Sequence, residues 1–126
     1  MFIIQPFDKF LGFQYEKLSP DSVKVGMPIQ PLFLNSVGVV HGGIISSLAD
    51  VALCNTLGAS EDGKQKAVTV DLDVTFIKGA KGETLTAIAK LVKAGRNLSH
   101  AECQIYDDQE NLVAKAKAIL FNTTNE

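Results

Sequence analysis

Arginine, cysteine and long apolar runs are scarce in this 126-residue chain, and each scarcity excludes a class of protein. Arg96 is the only arginine and the formal net charge is −2, which argues against binding to a nucleic-acid backbone. The two cysteines, Cys54 and Cys103, lie among apolar residues, and each is expected to be a small buried side chain. Asp50 interrupts the best candidate for a membrane span. The apolar start at residues 1–4 is too short for a secretory signal, so we expect a cytoplasmic protein.

The central stretch, residues 35–59, predicts a loop, a glycine pair and then a long helix: NSVGVVHGGIISSLADVALCNTLGA. From residue 44 to residue 59 the only charged side chain is that of Asp50. A helix that is apolar on nearly every side is expected at the centre of a fold. A carboxylate within such a helix is costly unless it is paired, protonated or used in chemistry. Asp50 is therefore a candidate functional group, with a structural core role as the alternative.

Hydrophobic periodicity divides the rest of the chain into one short helix, over residues 6–11, and six strands. Two strands are expected before the long helix and four after it, over residues 13–18, 22–27, 68–76, 84–93, 98–106 and 112–121. The last four are joined by short turns, which predicts antiparallel pairing between neighbours in sequence. In the first of these four, one face is expected to carry all the apolar side chains: Val68, Val70, Leu72, Val74 and Phe76.

One long helix and one antiparallel sheet must bury their apolar faces against each other. A sheet of about six strands is twisted enough to curl around a helix. We therefore expect a single α+β domain over residues 1–126, in which a curved sheet wraps around the long helix.

The pair Gly42-Gly43 follows His41 at the start of the predicted long helix. Glycine lets the backbone approach a ligand closely, and the first amides of a helix have no partner within it. They can donate to a carbonyl oxygen that becomes an oxyanion, although the same sequence is also typical of a tight helix entry. Gly42 and Asp50 lie roughly 12 Å apart along a helix axis, so one small group cannot contact both. If both serve one site, a second subunit related by a two-fold axis supplies one of them.

Other motifs that carry chemistry are absent from the sequence. There is no Gly-x-Ser-x-Gly nucleophile motif and no pair of cysteines or histidines at metal-ligand spacing; His100 stands alone in a predicted strand. Residues 58–65 imitate a phosphate-binding loop, but Gln65 replaces the hydroxyl residue that would hold magnesium. The stretch also follows a helix instead of preceding one, so a solvated turn is expected there.

Four short motifs occur in order along the chain: Asn35-x-x-Gly38-x-x-His41-Gly42-Gly43, Leu48-Ala49-Asp50, Val68-Thr69-Val70-Asp71 and Gly95-Arg96-Asn97. Together they resemble the acyl-CoA thioesterases of the hot-dog fold, and most closely the phenylacetate-pathway (PaaI-type) branch. The resemblance runs from about residue 35 to residue 121, whereas the first third of the chain agrees only in pattern. It implies a curved antiparallel sheet around one long helix, in dimers with shared active sites that often pair into tetramers.

The same resemblance implies a reaction, the hydrolysis of an acyl-CoA to a free acid and CoA, and roles for individual residues. The amide of Gly42 would polarise the thioester carbonyl, with Asn35 assisting. Asp50 of the partner subunit would act as general base or nucleophile. Thr69 would help to orient the water, and His41 would shape the turn and contact the substrate. No metal and no cofactor is implied.

Substrate binding would fall to Gly43 and, near the CoA phosphates, to the positive side chains of Arg96, Lys93 and Lys81. The acyl group is left open between aryl-acetyl, benzoyl and fatty chains. Two other functions also stay open. A hydratase or dehydratase of the same fold typically has a proline-containing turn after the histidine, where this chain has two glycines. A non-catalytic acyl-CoA sensor would have little need for a buried acid.

Overall fold

The computed structural model describes residues 1–123, which form a six-stranded antiparallel sheet and one long helix. In chain order the elements are α1 (Pro6–Leu11), β1 (Gln14–Ser19), β2 (Ser22–Pro28), α2 (Gly42–Cys54), β3 (Ala67–Phe76), β4 (Thr84–Ala94), β5 (Leu98–Asp107) and β6 (Leu112–Asn122). The predicted order of elements is confirmed, and only the end of α2 differs by more than one residue. Neither helix within residues 1–123 is long and apolar enough to cross a membrane.

The central position of α2 follows from its composition. Four of its side chains have no exposed surface: Leu48, Ala49, Ala52 and Leu53. The helix contacts β2, β3, β4, β5 and β6, whose inward-facing residues alternate with exposed ones. In β2, for example, Val23, Val25 and Met27 are buried as the alternation predicts. The apolar helix and the apolar face of the sheet thus bury each other.

The helix α2 ends at Cys54, whereas the pattern predicted a helix that continues toward residue 59. The side chain of Asn55, the next residue, makes two hydrogen bonds. Its Nδ2 donates to the Val51 carbonyl at 2.8 Å, and its Oδ1 accepts from the Ile3 amide at 2.8 Å. The amino-terminal segment therefore crosses the end of α2, and its Met1 carbonyl accepts the Ala59 amide at 2.8 Å, a donor that a longer helix would have used.

The sheet order is β1-β2-β4-β5-β6-β3, so β3 lies at an edge and pairs with β6. The prediction that β3 pairs with β4 through a short turn is wrong. Residues 77–83 instead cross the entrance of α2, where the Ile77 amide donates to the Val113 carbonyl at 2.9 Å and the Val40 amide donates to the Ala80 carbonyl at 2.8 Å. Three strand spacings amount to about 14 Å. An extended segment of this length spans roughly 23 Å, so it can make the crossing.

A β-bulge at Val70 changes which residues of β3 face the helix. The register with β6 passes from Thr69 to Asp71 and leaves Val70 without a partner. Thr69, before the bulge, contacts α2, while Leu72 and Val74, after it, pack against the core. An extra residue reverses the alternation, because side chains in a strand repeat every two residues. The prediction of one shared apolar face is therefore wrong for Val68 and Val70, which are exposed. Phe76 lies on the same side as Leu72 and Val74 but is exposed at the end of the strand.

Candidate active site

A loop over residues 33–41 leads into α2 and holds Asn35 at its turn. The Asn35 Oδ1 accepts hydrogen bonds from the amides of Val37 and Val39, at 3.1 and 3.2 Å. The Gly38 amide donates to the Asn35 carbonyl at 3.0 Å, and Gly38 has a φ of 83°, which glycine adopts without strain. Among residues 1–123, Asn35 Nδ2 has no acceptor. Asn35 thus shapes the loop with its oxygen and can donate to a ligand with its nitrogen.

The first turn of α2 presents two free amides. The carbonyl of His41, the residue before the helix, accepts the amides of Ile44 and Ile45 at 3.0 and 3.1 Å. The His41 imidazole is exposed and makes no capping hydrogen bond. The amides of Gly42 and Gly43 find no acceptor within residues 1–123. They lie at the positive end of the helix dipole and can stabilise a developing negative charge.

The ring of Phe76, the last residue of β3, lies against this turn. A Cβ built on Gly42 would be 3.1 Å from Phe76 Cζ, whereas a Cβ on Gly43 would meet nothing within 4 Å. Phe76 is 52% exposed, so the ring stands beside the first amide of α2 and is open on its other side. Gly42 therefore lets the aromatic ring approach the helix entrance closely.

Asp50 lies two turns further along α2 and contacts Thr69 on β3. Thr69 Oγ1 donates to Asp50 Oδ1 at 2.5 Å, and both residues are half-buried. The partner of the Asp50 carboxylate is thus the Thr69 hydroxyl and not a lysine or arginine side chain. Hydrogen bonds to an ionised acceptor are stronger than those between neutral groups. The contact depends on the bulge at Val70, because the bulge allows Thr69 and the later core residues of β3 to face the same side.

Cys54 completes a group of three side chains, Asp50, Thr69 and Cys54, which we call the Asp50 cluster. Its Sγ lies 3.2 Å from Thr69 Oγ1 and 3.9 Å from Asp50 Oδ1. Burial raises the pKa of Cys54 to about 11, and the charge of Asp50 adds to this rise. The thiol is therefore protonated near neutral pH. Cys54 and Cys103 are both buried, as the sequence predicted.

The positive side chains expected to bind CoA lie at opposite ends of β4. Lys81 follows Ala80, which is bonded to the entrance of α2. Lys93 lies near the end of β4, and Arg96 lies in the next turn, where its carbonyl accepts from Asn122 Nδ2 at 3.1 Å. All three side chains are exposed. The length of β4 separates the two groups by about 30 Å, so one chain does not bring them together.

One chain thus carries two separate halves of a possible site. Gly42, Asn35 and His41 lie at the start of α2, and Asp50 and Thr69 lie about 12 Å further along the axis. Two surface grooves of about 700 and 450 Å³ lie on the other face of the sheet, and none of these residues lines them. Residues 1–123 contain no group of three or more histidine, cysteine and acidic side chains that could hold a metal ion. The first half can stabilise an oxyanion and the second can activate water.

Sequence reasoning missed Phe76 and Cys54 as parts of the two halves. Cys54 follows Asp50 by four residues, a spacing that places both side chains on one face of a helix and could have indicated their contact. No local signal places Phe76 against Gly42, because this contact depends on how β3 crosses the helix.

Comparison with known proteins identifies the family. The profile of the thioesterase superfamily matches residues 37–114, more than half of the chain. The chain belongs to the thioesterase superfamily. YigI from Escherichia coli K12 is a medium/long-chain acyl-CoA thioesterase. It is 28% identical to this chain in an alignment that is 128 residues long and covers 90% of this chain and 83% of YigI.

Solved structures similar to this thioesterase have the same fold. The PaaI protein of the E. coli phenylacetic acid degradation operon is 27% identical, with a TM-score of 0.82 over 95% of this chain and 86% of PaaI. The BH2602 protein of Bacillus halodurans, whose structure contains CoA, is 27% identical, with a TM-score of 0.85 over 98% of this chain and 82% of that protein. The predicted resemblance to PaaI-type thioesterases and the hot-dog fold are confirmed. The chain is a thioester hydrolase.

Proposed function

We propose that this thioesterase hydrolyses an acyl-CoA at a site that two subunits build, with Gly42 from one subunit and Asp50 from the other. One observation carries the proposal: Asp50, held by Thr69, and the free Gly42 amide lie on the same helix, about 12 Å apart. A thioester carbonyl cannot reach both within one chain. A two-fold axis that joins two chains would give two identical, complete sites.

In the proposed reaction, the amide of Gly42 and Asn35 Nδ2 donate to the thioester carbonyl oxygen. Asp50 takes a proton from a water molecule while the water oxygen bonds to the carbonyl carbon. The oxyanion collapses, the carbon–sulfur bond breaks, and CoA leaves as a thiolate that takes the proton from Asp50, which regenerates the carboxylate. Thr69 holds Asp50 during these steps. In an alternative route, the Asp50 carboxylate attacks the carbonyl carbon itself and expels the CoA thiolate, and water then cleaves the acyl–Asp50 anhydride to the free acid and the Asp50 carboxylate.

The exposed edge of β3 supports the dimer in this proposal. The edge carries exposed apolar side chains at Val68, Val70 and Phe76, and an unpaired strand edge is a template for another strand. Within a chain, the start of α2 lies beside the end of β3, and the end of α2 lies beside its beginning. Antiparallel pairing of two β3 edges would therefore bring the start of one α2 toward the Asp50 cluster of the other chain. Two such dimers could pair into a tetramer.

The same arrangement would bring together the residues proposed for CoA. Gly43, Lys81 and His41 lie near the start of α2 in one subunit, and Lys93 and Arg96 would come from the other. The substrate of YigI and the CoA in BH2602 support an acyl-CoA substrate. Medium- and long-chain esters are the first acyl groups to test, followed by aryl-acetyl and benzoyl esters. We also propose a cytoplasmic location.

The test is thiol release from a panel of acyl-CoA esters by the wild-type protein and by Asp50→Asn. The substitution keeps the shape of the side chain but removes the base, so we expect a loss of about a hundredfold or more in kcat. Asp73→Asn, an exposed aspartate on the same strand as Thr69, is the matched control and should keep full activity. Equal rates for Asp50→Asn and the wild type would remove Asp50 from the mechanism. Tight binding of the esters without turnover would favour a sensor.

A further inference from the structure

Cys54 is the member of the Asp50 cluster that the proposed reaction does not use. It is the last residue of α2 and is 7% exposed. Its sulfur lies 3.2 Å from Thr69 Oγ1, within contact distance of the hydroxyl that donates to Asp50. The direction of the hydrogen bonds in the cluster determines what this thiol does.

Each donor in the cluster has one hydrogen to give. A threonine hydroxyl has a single hydrogen, and an ionised carboxylate can only accept. The Thr69 hydrogen therefore goes to Asp50 Oδ1, the shorter of its two contacts, at 2.5 Å. In the contact between Cys54 Sγ and Thr69 Oγ1, the only remaining hydrogen is that of the thiol. The protonated thiol has two acceptors within reach, Thr69 Oγ1 at 3.2 Å and Asp50 Oδ1 at 3.9 Å, and its hydrogen goes to the nearer one, Thr69 Oγ1.

We propose that Cys54 is a positioning residue for Asp50: its S–H donates to Thr69 Oγ1, which keeps the Thr69 hydroxyl directed at Asp50 Oδ1. Within residues 1–123, Asp50 Oδ2 accepts no hydrogen bond. Oδ2 is then the oxygen that acts on the water or the thioester. The inference rests on the proposed function of Asp50. The cluster directs the hydrogen bond from Thr69 to Oδ1 and so leaves Oδ2 free for the reaction.

The kinetic test compares Cys54→Ala, which removes the donor, with Cys54→Ser, which keeps one. A hydrogen bond contributes about 0.5–1.5 kcal/mol, so we expect kcat to fall about two- to twelvefold in Cys54→Ala with KM unchanged. Cys54→Ser should keep at least about half of the wild-type kcat. Cys103→Ala removes a second buried thiol, which lies outside the Asp50 cluster and 3.8 Å from the Gln104 carbonyl, and should leave kcat unchanged. Wild-type kcat in Cys54→Ala, or equal losses in Cys54→Ala and Cys54→Ser, would overturn the proposal.

A second measurement reports on the thiol without turnover. The chain has only two thiols, so the infrared S–H stretching bands of Cys54 and Cys103 can be assigned with the single variants. We expect the Cys54 band at lower frequency than the Cys103 band, and we expect Thr69→Val to move only the Cys54 band. A Cys54 band that Thr69→Val leaves in place would overturn the proposal. A wild-type protein that cleaves no thioester, but whose Cys54 band moves, would refute the proposed function and retain the hydrogen bond.

Discussion

Replacement of Thr69 by valine removes one hydroxyl from the Asp50 cluster and keeps the shape of the side chain nearly unchanged. The lost hydrogen bond to Asp50 Oδ1 is 2.5 Å long, and the other donor in contact, the Cys54 thiol, is 3.9 Å from the same oxygen. Hydrogen bonds to charged groups contribute about 1.5–3 kcal/mol. If this bond holds Asp50 in its reactive orientation, kcat should fall about ten- to a hundredfold. The free energy of unfolding should fall less, by about 1–2 kcal/mol, because water can reach a half-buried carboxylate.

The assay is steady-state thiol release, together with urea unfolding of each variant. Thr75→Val is the matched control, because Thr75 is an exposed threonine on the same strand. It should keep wild-type kcat and stay within about 0.5 kcal/mol of wild-type stability. Thr69→Ser, which restores the donor, should recover most of the activity. Wild-type kcat in Thr69→Val, or the same kcat in both valine variants, would refute the role of Thr69 in holding Asp50.

Three further predictions concern stability, measured by urea unfolding. Gly43→Ala should raise the free energy of unfolding by about 0.5–1 kcal/mol, because its Cβ meets nothing within 4 Å; Gly42→Ala should gain less, because its Cβ meets Phe76 at 3.1 Å. Tyr15→Phe should stabilise the protein by about 1 kcal/mol, because the buried Tyr15 hydroxyl has no hydrogen-bond partner in residues 1–123. Burial raises the pKa of Cys103 from 9.0 to about 12, so the folded protein keeps a proton that the unfolded chain loses. Cys103 should therefore lower stability above about pH 9 by up to about 1.4 kcal/mol per pH unit, and Cys103→Ala should remove this part of the slope.

Each of these predictions has an outcome that contradicts it. Equal gains in the free energy of unfolding for Gly42→Ala and Gly43→Ala would mean that the Phe76 ring moves aside at no cost in free energy. A loss of stability in Tyr15→Phe would mean that the hydroxyl finds a partner in solution. An unchanged slope above pH 9 in Cys103→Ala would mean that this thiol does not titrate differently in the folded and unfolded chains.

The elements of the fold could be predicted because their signals are local. The alternation of Val23, Val25 and Met27 and the apolar surroundings of Asp50 each identify an element from neighbouring residues alone. The fold family could be predicted because several short motifs occur together at family spacing. None of these signals depends on how distant parts of the chain pack.

The features that could not be predicted depend on distant contacts. The bulge at Val70 is set by the pairing of β3 with β6, about fifty residues later, and it determines that Thr69 reaches Asp50. The edge position of β3 and the crossing of residues 77–83 are likewise set by closure of the sheet around α2. For this reason the sequence reading of β3 as one apolar face was wrong, although its bounds were nearly right.

The most direct test of the central claim, a site shared between two subunits, is activity after two inactive variants are mixed. Asp50→Asn removes the base, and Gly42→Pro removes the amide at the first helical position, where proline is tolerated. The backbone of His41, with φ of −53° and ψ of 136°, suits a residue before proline. Gly42→Ala, which adds a Cβ but keeps the amide, is the control. The loss of an oxyanion donor should lower kcat about a hundredfold or more.

Equal amounts of Asp50→Asn and Gly42→Pro protein would be unfolded together and refolded, and thiol release would be measured. If each site takes Gly42 from one chain and Asp50 from the other, every mixed dimer has one intact site. Random pairing then restores about a quarter of the wild-type activity. If both residues serve a site within one chain, every site carries a defect, and the mixture stays as inactive as its components. Recovery of about a quarter is the result expected from a shared site, and no recovery would contradict it.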